Sequence, residues 1–347
     1  MKKWFYGLVA CFLILFPYYF KSKDVVHICV WYDFLPDAIV EEFEKETGIK
    51  VVHDLFDGND MLETKLLTDN PGYDVVTPTA IPYLNRGIEL GLYEKINPLF
   101  LPNLNQISPI LAEKTKHLID YGIPYGFGTF GIFYNKKIVE KFFPRVDSYA
   151  LLFEVDKVKL LAPYGVALND DFTDIVTSVM DAYDFKNLED AYTVLGKIRP
   201  YIKYFNIARH ANDMSLQEIV ISLTPNHEAM RAVLTSNKNS FAFVIPDSEK
   251  TLYCDMLAIP KNAPHKENAY KFINFLLRPH IAAMLTNETL LPNSVSFQHS
   301  SLVNKAIRDN PQLFLPSLEK YKLHATKTLA EYREMSSKWV QIIMGRS

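Results

Sequence analysis

Four aspartates define the chemistry open to this chain: Asp33, Asp171, Asp174 and Asp255. They are far apart in sequence, yet each falls at a predicted strand end or within a short predicted strand. Aromatic side chains accompany them: Trp31 and Phe34 flank Asp33, and Tyr253 stands two residues before Asp255. Asp171 and Asp174, three apart, share one face of a first helical turn. Asp170 or Asp171 is placed to cap that helix, because a carboxylate there accepts backbone N–H groups and meets the positive end of the dipole. Alternation puts Tyr253 and Asp255 on one side of an extended segment and Cys254 on the other. Trp31 and Asp33 repeat that arrangement. An Asp within the apolar run 252–259 is costly to bury unless a cation or a set of N–H donors meets it.

Carboxylates and aromatic faces together suit a slender organic polycation. Its ammonium groups take charge-assisted hydrogen bonds and its methylenes lie against apolar walls. Each aromatic face adds cation–π attraction of about 0.5–2 kcal/mol. A metal ion would take the oxygens without the aromatics. Two carboxylates also serve glycoside hydrolysis, so an exported hydrolase using Asp171 and Asp174 stands as an alternative.

Other motifs carry less. Gly126-x-Gly128-x-x-Gly131 spells the dinucleotide fingerprint, which needs a helix starting within it. Here Ile132-Phe133-Tyr134 follows and reads as strand, so a crossover between lobes is expected. A Walker A sequence is absent, as are Cys-x-x-Cys, His-x-x-x-His and His-Glu-x-x-His spacings. No metal and no cofactor is expected. Cys29 and Cys254 sit in apolar runs and read as buried free thiols.

The elements that must position these residues alternate. Residues 25–31 form a strand, Pro36 stands in the first turn of a helix that carries Ile39, Val40 and Phe43 at helical spacing up to Gly48, and 50–55 are a strand, 61–67 a helix and 73–76 a strand. Such alternation argues for a parallel sheet covered on both faces, with ligands beyond the carboxyl ends of the strands. Trp31 to Phe34 and Thr77 to Thr79 occupy those ends. Residues 123–134 are extended and rich in Gly and aromatics. A second α/β pattern follows: strands near 165–168, 219–223, 241–245 and 252–259, and helices near 172–184, 188–198, 269–277 and 329–344. Two α/β lobes result, with the chain crossing between them more than once.

Composition bounds the rest. The 347 residues suit one large domain or two of roughly 150. With 48% hydrophobic and 22% charged residues, the chain is neither disordered nor collagen-like nor a disulfide scaffold. A formal charge of −3 leaves no basic excess for nucleic acid. Lys2, Lys3, Lys21 and Lys23 bracket an uncharged stretch from 4 to 20. At about 1.5 Å per residue it is long enough for an export signal and at the lower edge of a membrane span. With those four lysines set aside, the rest carries 33 basic and 40 acidic side chains.

Several stretches resemble a known family. They are Glu42-Phe43-Glu44-Lys45-Glu46-Thr47-Gly48-Ile49-Lys50-Val51, Tyr73-Asp74-Val75-Val76, Ile123-Pro124-Tyr125, and Asp255-x-Leu257-Ala258-Ile259-Pro260 continuing to Phe275-Leu276-Leu277-Arg278-Pro279. The chain resembles the bacterial periplasmic spermidine/putrescine-binding proteins, the solute receptors of polyamine ABC importers. That resemblance implies an α/β, two-lobed clamshell of type II, each lobe a mixed sheet flanked by helices. Residues 1–23 would be a signal peptide or membrane anchor, 24–127 plus 255–297 one lobe, and 128–254 plus 298–347 the other. Trp31 matches the family's first aromatic wall, Asp33 an amine-binding carboxylate and Phe34 a further aromatic. Thr79 matches a small hydroxyl residue beside the ligand, Asp171 and Asp174 an acidic pair, Tyr253 an aromatic and Asp255 the central carboxylate. Pro225, Leu291 and Ile81 depart from it, each standing where an aromatic is expected, and the family's C-terminal Gln has no clear counterpart.

The implied function is a periplasmic receptor and not an enzyme. It would take a polyamine in the interlobe cleft and deliver it, as a monomer, to a permease with its ATPase. It would touch the membrane only through its N-terminal segment or that permease. Three or four carboxylates favour spermidine over putrescine. A receptor for another small cationic or organic solute is the alternative of the same fold.

Overall fold

A run of β-branched residues opens the fold as β1 (Val25–Trp31). The chain of the computed structural model is described over residues 24–32, 34–68, 71–236 and 240–345; residues 1–23, expected from the sequence to be a signal or anchor, and Asp33 lie outside them. Pro36 leads into α1 (Asp37–Thr47), which buries Ile39 and Phe43. Gly48 ends that helix at φ 72°, a left-handed conformation that costs glycine nothing for want of a Cβ. Then come β2 (Lys50–Phe56), α2 (Asn59–Leu66) and β3 (Val75–Val76). Both β2 and β3 pair in parallel with β1.

The extended stretch at 123–134 is two strands, β4 (Gly122–Gly128) and β5 (Phe130–Asn135), separated by Thr129 alone. They belong to different sheets. The later strands are β6 (Val166–Leu168), β7 (Tyr204–Phe205), β8 (Ile221–Pro225), β9 (Phe241–Val244) and β10 (Tyr253–Ala258). One sheet has the order β2-β1-β3-β10-β4 and the other β7-β6-β8-β5-β9. Parallel pairing is confined to part of each sheet: the parallel sheet read from the alternation holds only around β1 and β6, and the mixed sheets that the resemblance implies are what forms. In the first, β10 runs antiparallel to β3 and β4. In the second, β5 runs antiparallel to β8 and β9.

The three fingerprint glycines are explained at this crossover. A Cβ on Gly126 would press on Leu291, one on Gly128 would strike the Tyr253 hydroxyl and the Asn226 amide, and one on Gly131 would strike Phe243 and the Val244 carbonyl. These are close approaches of strand to neighbour, and no helix begins within the motif.

The longer helices after the crossover are α3 (Phe172–Tyr183), α4 (Leu188–Ile198), α5 (Asn226–Thr235), α6 (Lys266–Leu276), α7 (Pro279–Thr289) and α8 (Leu329–Ile343). Phe43 of α1 meets Phe272 and Phe275 of α6 edge to face at 5.1 and 5.2 Å between centroids. Burying such a ring stabilises the fold by about 1.5–3 kcal/mol. Helix α8 closes the second half, with Trp339 edge-on to Phe205 and Tyr332 against Phe172. Cys29 and Cys254 are buried free thiols. Among the described residues no helix is long and apolar enough to cross a membrane.

Candidate functional site

The carboxyl ends of β1, β6 and β8 and the turns beyond them face one cavity of about 330 Å³, walled by residues from both sheets. Seven of the eight residues singled out from the sequence line it: Trp31, Phe34, Thr79, Asp171, Asp174, Tyr253 and Asp255. Asp33, the eighth, is not among the described residues. Ile81, Pro225 and Leu291 are on the wall as well, where the resemblance expects aromatic rings. The side chains of Tyr32, Tyr83, Phe130 and His227 bring other rings to the same space.

On the first-sheet side the carboxylate is Asp255, only 6% exposed. The register of β10 against β4 shifts between Cys254 and Met256, a bulge of the kind that re-aims a side chain out of the ladder. Asp255 Oδ1 accepts from the Thr79 hydroxyl at 2.7 Å. Asn59, the first residue of α2, holds Thr79 in turn: its amide Nδ2 donates to Thr79 Oγ1 and its Oδ1 accepts from the Thr79 N–H, both at 3.0 Å. Because Thr79 Oγ1 already accepts, its single proton is directed at Asp255. Trp31 leans on Phe56 at 4.6 Å and Phe34 on Tyr125 at 4.9 Å, so core rings fix both aromatics.

On the second-sheet side stand Asp171 and Asp174. Asp171 caps α3, its Oδ1 accepting from the Thr173 N–H at 2.8 Å, and its Oδ2 accepts from the Tyr83 hydroxyl at 2.9 Å. Asp174 accepts from the Asn169 amide at 3.1 Å and from His324 Nε2 at 2.8 Å. Removal from water and the neighbouring Asp174 charge raise the Asp171 carboxyl above the usual carboxylate range, against the pull of Tyr83, Thr173 and His324. Burial alone would push the His324 imidazole down. The hydrogen bond to Asp174, with the charges of Asp174, Asp171 and Glu249, outweighs it and raises the imidazole above its ordinary value.

Sequence reasoning missed Glu228, Tyr83 and His324. Glu228 Oε1 accepts from the Tyr32 hydroxyl at 2.7 Å, a bond from the end of β1 to the first turn of α5. It follows the last residue of β8 by three positions, as Asp171 follows that of β6, and these two strands are parallel neighbours. That repeat was the available signal. Tyr83 and His324 lie 88 and 150 residues from their acidic partners, with no local mark. Among the described residues no cluster of three or more His, Cys, Asp or Glu is arranged to hold a metal ion.

Comparison with known proteins places this geometry. The chain is 33% identical over 345 residues to the putrescine-binding periplasmic protein SpuD of Pseudomonas aeruginosa, covering 94% of this chain and 93% of that one. It is 31% identical over 347 residues to the putrescine-binding periplasmic protein PotF of Escherichia coli, with the same coverage. In fold it is similar to the TpPotD lipoprotein of Treponema pallidum, with a TM-score of 0.79 at 22% identity over 92% of this chain and 100% of that one. The family model described as bacterial extracellular solute-binding protein matches residues 38–314, and the chain belongs to that family.

Proposed function

We propose that the protein captures a polyamine, spermidine or putrescine, in the cavity between its two sheets and delivers it to an ABC permease driven by its own ATPase. One observation carries this reading: carboxylates from both sheets, Asp255 on one side and Asp171, Asp174 and Glu228 on the other, share a single space with Trp31, Phe34 and Tyr253. A linear chain of ammonium groups and methylenes has that same alternation of charge and apolar surface. The names of the two relatives above 30% identity, both putrescine-binding, support it.

In this reading Trp31, Asp33, Phe34, Thr79, Asp171, Asp174, Tyr253 and Asp255 contact the ligand. The amine bonds to both lobes and so favours their closed arrangement, which the permease recognises. The protein works in the periplasm as a monomer, exported by residues 1–23, which are cleaved or kept as an anchor. The hydrolase alternative is disfavoured because the family matched over residues 38–314 and the relatives above are solute-binding proteins.

Calorimetric titration of the purified protein with putrescine and with spermidine tests the proposal. Saturable heat from at least one amine is expected. No heat from either at millimolar concentration overturns it.

A further inference from the structure

Outside the cavity wall, a buried cation from one half of the molecule lies against an aromatic ring from the other. Arg86 stands in a short helical turn (Asn85–Glu89) beyond β3, on the first-sheet side, and only 8% of it is exposed. Its Nε and Nη2 donate to the two oxygens of Glu63 on α2, and Asp60 of the same helix is 4.0 Å away. That fork leaves the guanidinium a flat face. Tyr332 of α8 covers the guanidinium at 3.7 Å from the ring centroid, with Tyr83 beside it at 5.0 Å. Tyr332 also meets Tyr83 edge to face at 6.2 Å and leans on Phe172, the first residue of α3, at 5.0 Å. Helix α8 packs on α3 and α4, so Tyr332 travels with the second sheet and Arg86 with the first. Neither residue lines the cavity.

We propose that Arg86 and Tyr332 form a latch that holds the two lobes closed before a ligand arrives. This rests on the reading of a receptor that closes on its solute, and it holds for whichever solute that is. A cation is costly to bury unless a partner returns its charge interaction, and here Glu63 does so from the same side of the cleft. Opening the cleft carries Tyr332 away and leaves the Arg86–Glu63 pair whole. The latch therefore breaks without stranding a buried charge, and it is reversible. What opening loses is the cation–π contact and the burial of the Tyr83 and Tyr332 rings, and that loss raises the closed population of the empty protein. Tyr83 ties the latch to the site, because its hydroxyl reaches across to Asp171. A ligand then meets a cleft already formed, and its apparent affinity scales with the fraction of molecules that are closed. Arg86 and Tyr332 are positioning residues. They act alike on every ligand that needs the closed form.

The test uses the full chain and two variants: Tyr332→Leu, which spares the Arg86–Glu63 pair, and Tyr332→Phe, which keeps the ring. Small-angle X-ray scattering of the ligand-free proteins is read first. The parent and Tyr332→Phe should share one radius of gyration, and Tyr332→Leu should show a larger one. A Tyr332→Leu protein as compact as the parent overturns the latch whatever the ligand, and so does a Tyr332→Phe protein as expanded as Tyr332→Leu. Putrescine and spermidine are then titrated calorimetrically. Tyr332→Leu should weaken both by about tenfold and by the same factor. Unchanged affinity for both overturns the link from latch to capture, and factors that differ between the amines overturn the positioning role. Expansion of Tyr332→Leu with no heat from either amine, in parent or variant, supports the latch and overturns the polyamine reading. Should Tyr332→Leu fail to fold, Arg86→Lys serves instead: it keeps the charge and loses the flat stacking face, so expansion is expected and an unchanged radius overturns the proposal.

Discussion

The two sides of the cavity hold their acids differently. Asp255 sits within a strand, behind a bulge, and the side chain that orients it is a hydroxyl, Thr79, held by the amide of Asn59. Asp171 and Asp174 sit at a helix start. The backbone of α3, a phenol and an imidazole meet them there. A hydroxyl aims a carboxylate without bringing a charge; an imidazole bonded to one brings a charge whenever it takes a second proton. The same residue type is thus held by a neutral hydroxyl within a strand on one side and by an ionisable ring at a helix start on the other. Counting acids around a cavity does not give the charge a ligand meets.

The largest effect should come from the Asp255 side. Asp255→Ala removes a buried carboxylate opposite a ligand ammonium, at a cost of about 3–4 kcal/mol of binding, a loss of several hundredfold in affinity for putrescine. Calorimetry reads this directly. An Asp255→Ala protein that binds as tightly as the parent, with an unchanged melting temperature, would place the ligand elsewhere in the cavity.

Glu228 sharpens the comparison, because its place after β8 repeats that of Asp171 after β6. Glu228→Gln retains an acceptor for the Tyr32 hydroxyl and drops the charge. If Glu228 serves an ammonium as Asp255 does, affinity falls about tenfold to a hundredfold. If it only ties β1 to α5, affinity stays within a factor of two or so of the parent. The next effect is smaller. Thr79→Val removes the hydroxyl from Asp255 and leaves the backbone in place, which should weaken binding by about 1 kcal/mol. Equal binding by this variant would mean that Asp255 does not depend on Thr79 for its aim.

Much of the frame was readable from the chain. The β-branched run of β1, the helix ending at Gly48 and the apolar run of β10 have local causes, and so the strand ends near Trp31, Thr79 and Asp171 and the strand that holds Asp255 were placed correctly. What was lost was lost at boundaries and over distance. The strand predicted to stop at 223 continues to Pro225, and the helix at Asn226 was not foreseen, so Glu228 looked like a loop residue. His324 sits in a segment without regular structure, where neither periodicity nor capping marks it. Only the packing of that segment against α3 brings it to Asp174. The antiparallel course of β10 and β5 was hidden for a related reason. Hydrophobic alternation reports that a strand is buried, and says nothing of its direction.

The smallest effect is a test of stability, and it addresses the helix side of the comparison. Asp171→Asn keeps the cap on α3, since Asn serves there as well as Asp, and its amide can donate to the Tyr83 oxygen. Because the Asp171 carboxyl is raised above its ordinary range, the native fold favours its neutral form. That contribution is complete below the unfolded carboxyl's pKa, about 4, and is lost as pH rises through the raised value. The Asn variant has no such loss. It should match the parent near pH 4 and exceed it by about 1–2 kcal/mol near pH 8, read as melting temperature across that range. The gain must grow with pH. A gain of the same size at every pH would reflect altered packing, and a loss at high pH would mean that the ionised Asp171 is held by the Tyr83 hydroxyl and His324 more strongly than its burial opposes it.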